Sequence, residues 1–186
     1  MPELPLIEPE NTDDATGILL ATAHQMCGLT PNLFKAMANS TAALRGYLDL
    51  AGALRDGGIS ASAGARIALL VAQEHRNDYC VSAHTFIGTR VHGLTADAAI
   101  AARAGVADDP KTVALLNFAG ALVRHHGHVP DAELAAAHAE LSPAEIVEVV
   151  AQVALGVFGN YLASAARVAN DWPLVRHDVM PLPKTS

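Results

Sequence analysis

Residues 77–84 read Asn-Asp-Tyr-Cys-Val-Ser-Ala-His, which sets the thiol of Cys80 four residues ahead of the imidazole of His84. On a helix that spacing stacks the two side chains on one face. A cysteine in the first turn of a helix also sits among unpaired backbone N–H groups, which favour an anion and lower the thiol pKa. His84 can then accept the thiol proton or protonate a departing oxygen. Glu74 closes the apolar stripe Ile67, Leu70, Val71. A carboxyl buried there would have its pKa raised towards neutrality and could relay a proton. The same cysteine and histidine also fit a plain core thiol beside a satisfied imidazole.

Helices must position these residues. Asp13 or Asp14 can cap a first helix that runs to Cys27 and stops at Gly28. Thr30-Pro31 offers a cap followed by proline, and residues 31–56 then form one long helix or two shorter ones, closed by Gly57-Gly58. Ser60 opens a helix with Ala63, Ile67, Leu70, Val71 and Glu74 on one face. A break is expected around Arg76 and Asn77. A new helix starts near Asp78, with Cys80, Ala83, His84, Ile87 and Val91 inward. Thr95, Asp109-Pro110, Asp131 and Ser142-Pro143 open the remaining helices, and Asp171-Trp172-Pro173 ends the last one and anchors the tail by burying the only tryptophan. No stretch alternates with strand period, so the expected fold is all-α: a single-domain bundle of about seven or eight helices over residues 1–186, with its core at about 40–170.

"SAGARIALLV" followed by "AQEHRNDYCVSAH" resembles the core of the carboxymuconolactone decarboxylase and alkyl hydroperoxidase D superfamily. "GHVPDAELAAAHAELSPAEIVEVVAQVAL" and "NYLASAARVANDWPLV" are similar to its second half, so the resemblance covers most of the sequence. It implies an all-helical domain assembled as trimers or hexamers. The redox branch of that superfamily carries Glu-x(11)-Cys-x-x-Cys-x-x-x-His. Its second cysteine, the one that attacks peroxide, falls on Cys80 and its histidine on His84. Its first cysteine falls on Asn77 and its glutamate on Ala65. The motif disulfide therefore cannot form, and a sulfenate on Cys80 needs another thiol: Cys27, a subunit partner or a small molecule.

The bulk composition narrows the classes. Hydrophobic residues are 51% of the 186, aromatics only 4%, and the net charge of -7 with 12 Lys+Arg speaks against a nucleic-acid surface. Residues 1–10, with two early prolines and no basic region, do not read as a signal peptide, which makes the cytoplasm the expected compartment. Residues 149–166 carry no charge, yet Gln152, Asn160, Tyr161 and Ser164 break their apolarity. They read as a buried helix or subunit interface rather than a membrane span, and point to a homo-oligomer. His125, His126 and His128, with Asp131 beyond, read as a solvated turn rather than a built metal site, and no cofactor or metal is expected.

Three functions compete. The first is a thiol-dependent peroxidase with Cys80 as nucleophile and His84 as proton carrier, acting on a hydroperoxide and recycled by a thiol reductant. The second is cofactor-free decarboxylation or lactone chemistry on a small organic acid, with His84 and Glu74 as acid and base. The third is a non-catalytic oligomer that binds a small apolar ligand.

Overall fold

A computed structural model describes residues 4–12 and 14–180. The cap expected from Asp13 or Asp14 lies outside what is described, and α1 is seen from Asp14 to Cys27. After it come α2 (Asn32–Met37), α3 (Thr41–Arg55), α4 (Ala61–Glu74), α5 (Asp78–Arg90), α6 (Ala96–Arg103), α7 (Pro110–Arg124), α8 (Asp131–Glu140) and α9 (Pro143–Ala165). A short 3-10 turn, Pro9–Asn11, precedes them, and no strand occurs among the described residues. The helix count among those residues reaches nine because Ser40 caps a fresh helix and divides residues 31–56.

The punctuation expected at Ser60, Thr95, Asp109 and Ser142 is found, each side chain accepting the N–H three residues on. At Ser142 the bond is reciprocated by Glu145, which closes a capping box. Two expected caps are corrected. Pro31 rather than Thr30 stands at the N-cap of α2, and Pro130 rather than Asp131 at that of α8. In both, proline's fixed φ gives the extended entry and no side chain caps the turn.

The central helix is α4, packed against α5, α6, α7 and α9. It is buried on more than one side, with Ile67 and Val71 against α7 to α9 and Leu69 facing α6. Close approach to α9 needs Gly156, where an added Cβ would lie 3.0 Å from Val71 Cγ1. A second cluster joins α1, α2 and α3 through Leu20, Phe34 and Leu44.

Helix α9 ends at Ala165, six residues earlier than expected, and Trp172 is buried by an extended strap instead. The stop is a pair of bonds, Arg167 N to Ser164 O and Val168 N to Ala163 O, with Arg167 at φ 49°. The strap is pinned at several points. Asp78 Oδ1 accepts from His177 N at 2.8 Å and meets His177 Nδ1 at 2.6 Å. Ser82 Oγ accepts from Val175 N at 2.9 Å. Buried Arg103 donates to the carbonyls of Arg176, His177 and Val179. Burial pushes the Asp78 carboxyl up, but the hydrogen bonds and charge of His177 outweigh it and hold Asp78 below its usual range.

Candidate functional site

The break before α5 is made by two residues. Arg76 adopts φ 51°, and Asn77 caps α5 by accepting the Cys80 N–H at 3.0 Å. The Asn77 amide also donates to Asn160 O at 3.1 Å and to Ser164 Oγ at 2.9 Å, tying the start of α5 to α9. Where a resolving cysteine would stand, this protein therefore has a buried structural cap.

Cys80 and His84 open onto one cavity of about 240 Å³, with mostly apolar walls. On α4 the wall is Ala61, Gly64, Ala65 and Ala68, a face distinct from the one that carries Ile67, Leu70 and Val71 into the core. Position 65 thus does line the Cys80 cavity, as an alanine. Trp172 of the strap closes another side, its indole 5.4 Å from the Phe86 ring.

Glu74, expected beside the pair, does not join them. It ends α4, pairs with Arg124 at 3.4 Å, and borders a surface hollow with Arg76 and Asp178. The apolar stripe it closes belongs to the core face of α4, and the helix stops before that face is covered. Val91, expected inward, is 56% exposed at the cavity rim because α5 ends at Arg90.

The electrostatics also reverse an expectation. Cys80 is only 3% exposed, and burial pushes its thiol up to about 12 rather than down. The N–H that could have stabilised a thiolate is already taken by Asn77. Burial, and then the charge of His92, lower His84 to about 4. At neutral pH the pair is a thiol and a neutral imidazole, a weak acid beside an unprotonated base.

Several lining groups carried no signal in sequence spacing. Cys27, at the end of α1, lines the same cavity, and burial followed by Asp171 raises its thiol to about 11 against the lowering effect of Arg55. Tyr47 of α3 and Tyr79 of α5 supply hydroxyls, with Gln152 and His92 nearby. Only assembly of α1, α3, α5 and α9 brings them together. The histidines of 125–128 lie far from this site in role: His125 meets Glu133 at 3.3 Å, and His126 and Gly127 form the left-handed turn that ends α7.

No known family's sequence pattern matches the chain, and no curated protein sequence matches it. Solved structures do. The debrominase Bmp8 superposes with a TM-score of 0.79 at 19% identity, covering 90% of this chain and 91% of that one. A cysteine-to-alanine variant of Bmp8, in complex with 2,3,4-tribromopyrrole, gives 0.80 over the same shares. An alkylhydroperoxidase AhpD core, a peroxidase-related protein from Ralstonia eutropha JMP134, gives 0.72 at 23% identity over 90% of both chains. The chain has the AhpD-like, all-helical fold that the sequence resemblance implied.

Proposed function

We propose that the protein is a cysteine-dependent oxidoreductase that reduces a small apolar hydroperoxide in the Cys80 cavity. The observation that carries this reading is the placement of Cys80 and His84 on one mostly apolar cavity of about 240 Å³. In the step, Cys80 sulfur attacks the terminal peroxide oxygen, the O–O bond breaks, and the thiol proton leaves through His84 to end on the alcohol product. Cys80 becomes a sulfenic acid, which condenses with Cys27 or a small-molecule thiol to a disulfide with release of water, and a thiol reductant then returns the disulfide to thiols. The raised thiol pKa makes ionisation harder by roughly 4 kcal/mol than in a free cysteine. Proton transfer must therefore accompany attack rather than precede it.

Decarboxylase or lactone chemistry loses its support, because Glu74 stands outside the cavity and cannot pair with His84 there. A second reading rests on the neutral, apolar walls, which also suit a flat halogenated ring like the one held by the debrominase variant. The test exposes the protein to an alkyl hydroperoxide and, separately, to a brominated pyrrole. The mass of the Cys80 peptide and the loss of bromide are then read. A Cys80 sulfenate or disulfide with the peroxide supports the first reading, and bromide release without peroxide reactivity moves the assignment to the second.

We also propose a homo-oligomer built on α9. Only 33% of its most apolar window is buried within one chain, and Val147, Val150, Phe158 and Tyr161 form an exposed apolar stripe. A second copy covering that stripe accounts for it; the helix is long and apolar enough to cross a membrane, but Gln152, Leu155, Gly156 and Gly159 on its other side line the Cys80 cavity.

A further inference from the structure

Tyr47 is held with unusual definition for a side chain that bonds to nothing. Its ring meets Phe34 edge-on at 5.6 Å and Phe158 at 5.7 Å, both at 68°. Its hydroxyl reaches across to α9, 3.4 Å from where a Cβ on Gly159 would stand, so a glycine leaves that space open. The other cavity tyrosine behaves differently: the Tyr79 hydroxyl accepts the Leu33 N–H at 3.1 Å. The Tyr47 hydroxyl has no hydrogen-bond partner among the described residues, although it lines the cavity of Cys80 and His84. A donor clamped in an apolar cavity and left unsatisfied is placed to bond whatever enters.

The acids that the motif would supply are missing from the cavity. Position 65 is alanine, Glu74 lies elsewhere, and His84 is neutral. Burial, followed by the nearby sulfurs of Cys80 and Cys27, pushes the Tyr47 pKa up, so the phenol stays protonated and within electrostatic reach of the Cys80 sulfur.

We infer that Tyr47 is a further catalytic residue, whose hydroxyl donates to the oxygen that leaves when Cys80 attacks a hydroperoxide. This rests on the peroxidase reading above. As the O–O bond breaks, negative charge gathers on the alkoxide oxygen. The phenol shares its proton with that oxygen, the alcohol departs, and the imidazolium formed at His84 by the Cys80 proton restores the phenol. Thiol and hydroperoxide become sulfenic acid and alcohol, with no proton gained or lost. The substrate class follows: a compact apolar hydroperoxide whose leaving fragment is a poor, strongly basic alkoxide and so needs the donor.

Tyr47→Phe keeps both edge contacts and removes only the hydroxyl. Cys80 oxidation is timed by stopped quench and mass, in the wild type and the variant, with an alkyl hydroperoxide and with a peracid. Alkylation by iodoacetamide, which has no leaving oxygen, serves as the control. We expect a loss of roughly 100-fold with the hydroperoxide, a much smaller loss with the peracid, whose carboxylate leaves unaided, and unchanged alkylation. An equal loss with all three reagents means a packing role and overturns the inference, as does no loss at all. A wild-type Cys80 inert to both oxidants overturns the peroxidase reading itself, and this one with it.

Discussion

With its pKa pushed up to about 12, Cys80 keeps its proton throughout the neutral range. Its alkylation rate should climb with pH to at least about pH 10 without levelling off near neutrality. His84→Ala should leave that profile in place, since a neutral imidazole contributes no positive charge to a thiolate. A plateau near pH 7 that disappears in His84→Ala would restore the low-pKa thiol that the motif spacing suggested. Asn77 offers a second residue-scale test. Its side chain makes three buried or half-buried hydrogen bonds, one of them a helix cap. Asn77→Ala should lower unfolding free energy by roughly 2 kcal/mol in urea titration. A change under about 0.5 kcal/mol would mean that the cap is not what holds α5 to α9.

Among the elements, three helices end on a left-handed residue that is not glycine: Arg76 after α4, His126 after α7 and Arg167 after α9. Arg167→Gly should therefore raise stability by up to about 1 kcal/mol in the same titration, because glycine adopts that φ without a Cβ clash. A loss would show that the arginine side chain contributes more than its strain removes. These stops separate what is legible in the sequence from what is not. Caps at Ser60, Thr95, Asp109 and Ser142 are side-chain chemistry written in one residue and legible as such, whereas before α5 the sequence shows the break but not the Asn77 cap that makes it. A non-glycine stop such as Arg167 carries no local signal, so the sequence alone puts the end of α9 too late. Glu74 failed differently. Periodicity shows that a helix has an apolar face, but α4 has a core face and a cavity face, and only packing tells Ile67 from Ala65. Cys27, Tyr47 and Trp172 come from three distant segments, and no spacing rule could have gathered them.

For the molecule as a whole, pH acts on folding through His84. Its folded-state pKa of about 4 lies below the ordinary 6.5, so the neutral form held in the cavity wall stabilises the fold above pH 6.5, and that contribution is lost as pH falls towards 4. The loss should approach about 3 kcal/mol, and His84→Gln should flatten the decline between pH 6.5 and about 4 in thermal melts. An unchanged acid profile would place the acid sensitivity in other groups. Assembly is the other molecular-scale expectation. Wild-type protein should scatter light as a trimer or hexamer at micromolar concentration, and Val147→Glu, on the exposed stripe of α9, should shift it towards monomer. A wild-type monomer would leave the stripe to another partner.

Everything proposed for the site turns on how fast Cys80 reacts with peroxide. The second-order rate constant for its oxidation by an alkyl hydroperoxide, followed by intact mass at neutral pH, is to be set against that of free cysteine. The cavity groups must more than offset the raised pKa of the thiol. The reaction should therefore be clearly faster in the protein than in free cysteine, and should slow in His84→Ala. A Cys80 that reacts no faster than free cysteine, or that stays reduced, would refute the peroxidase assignment.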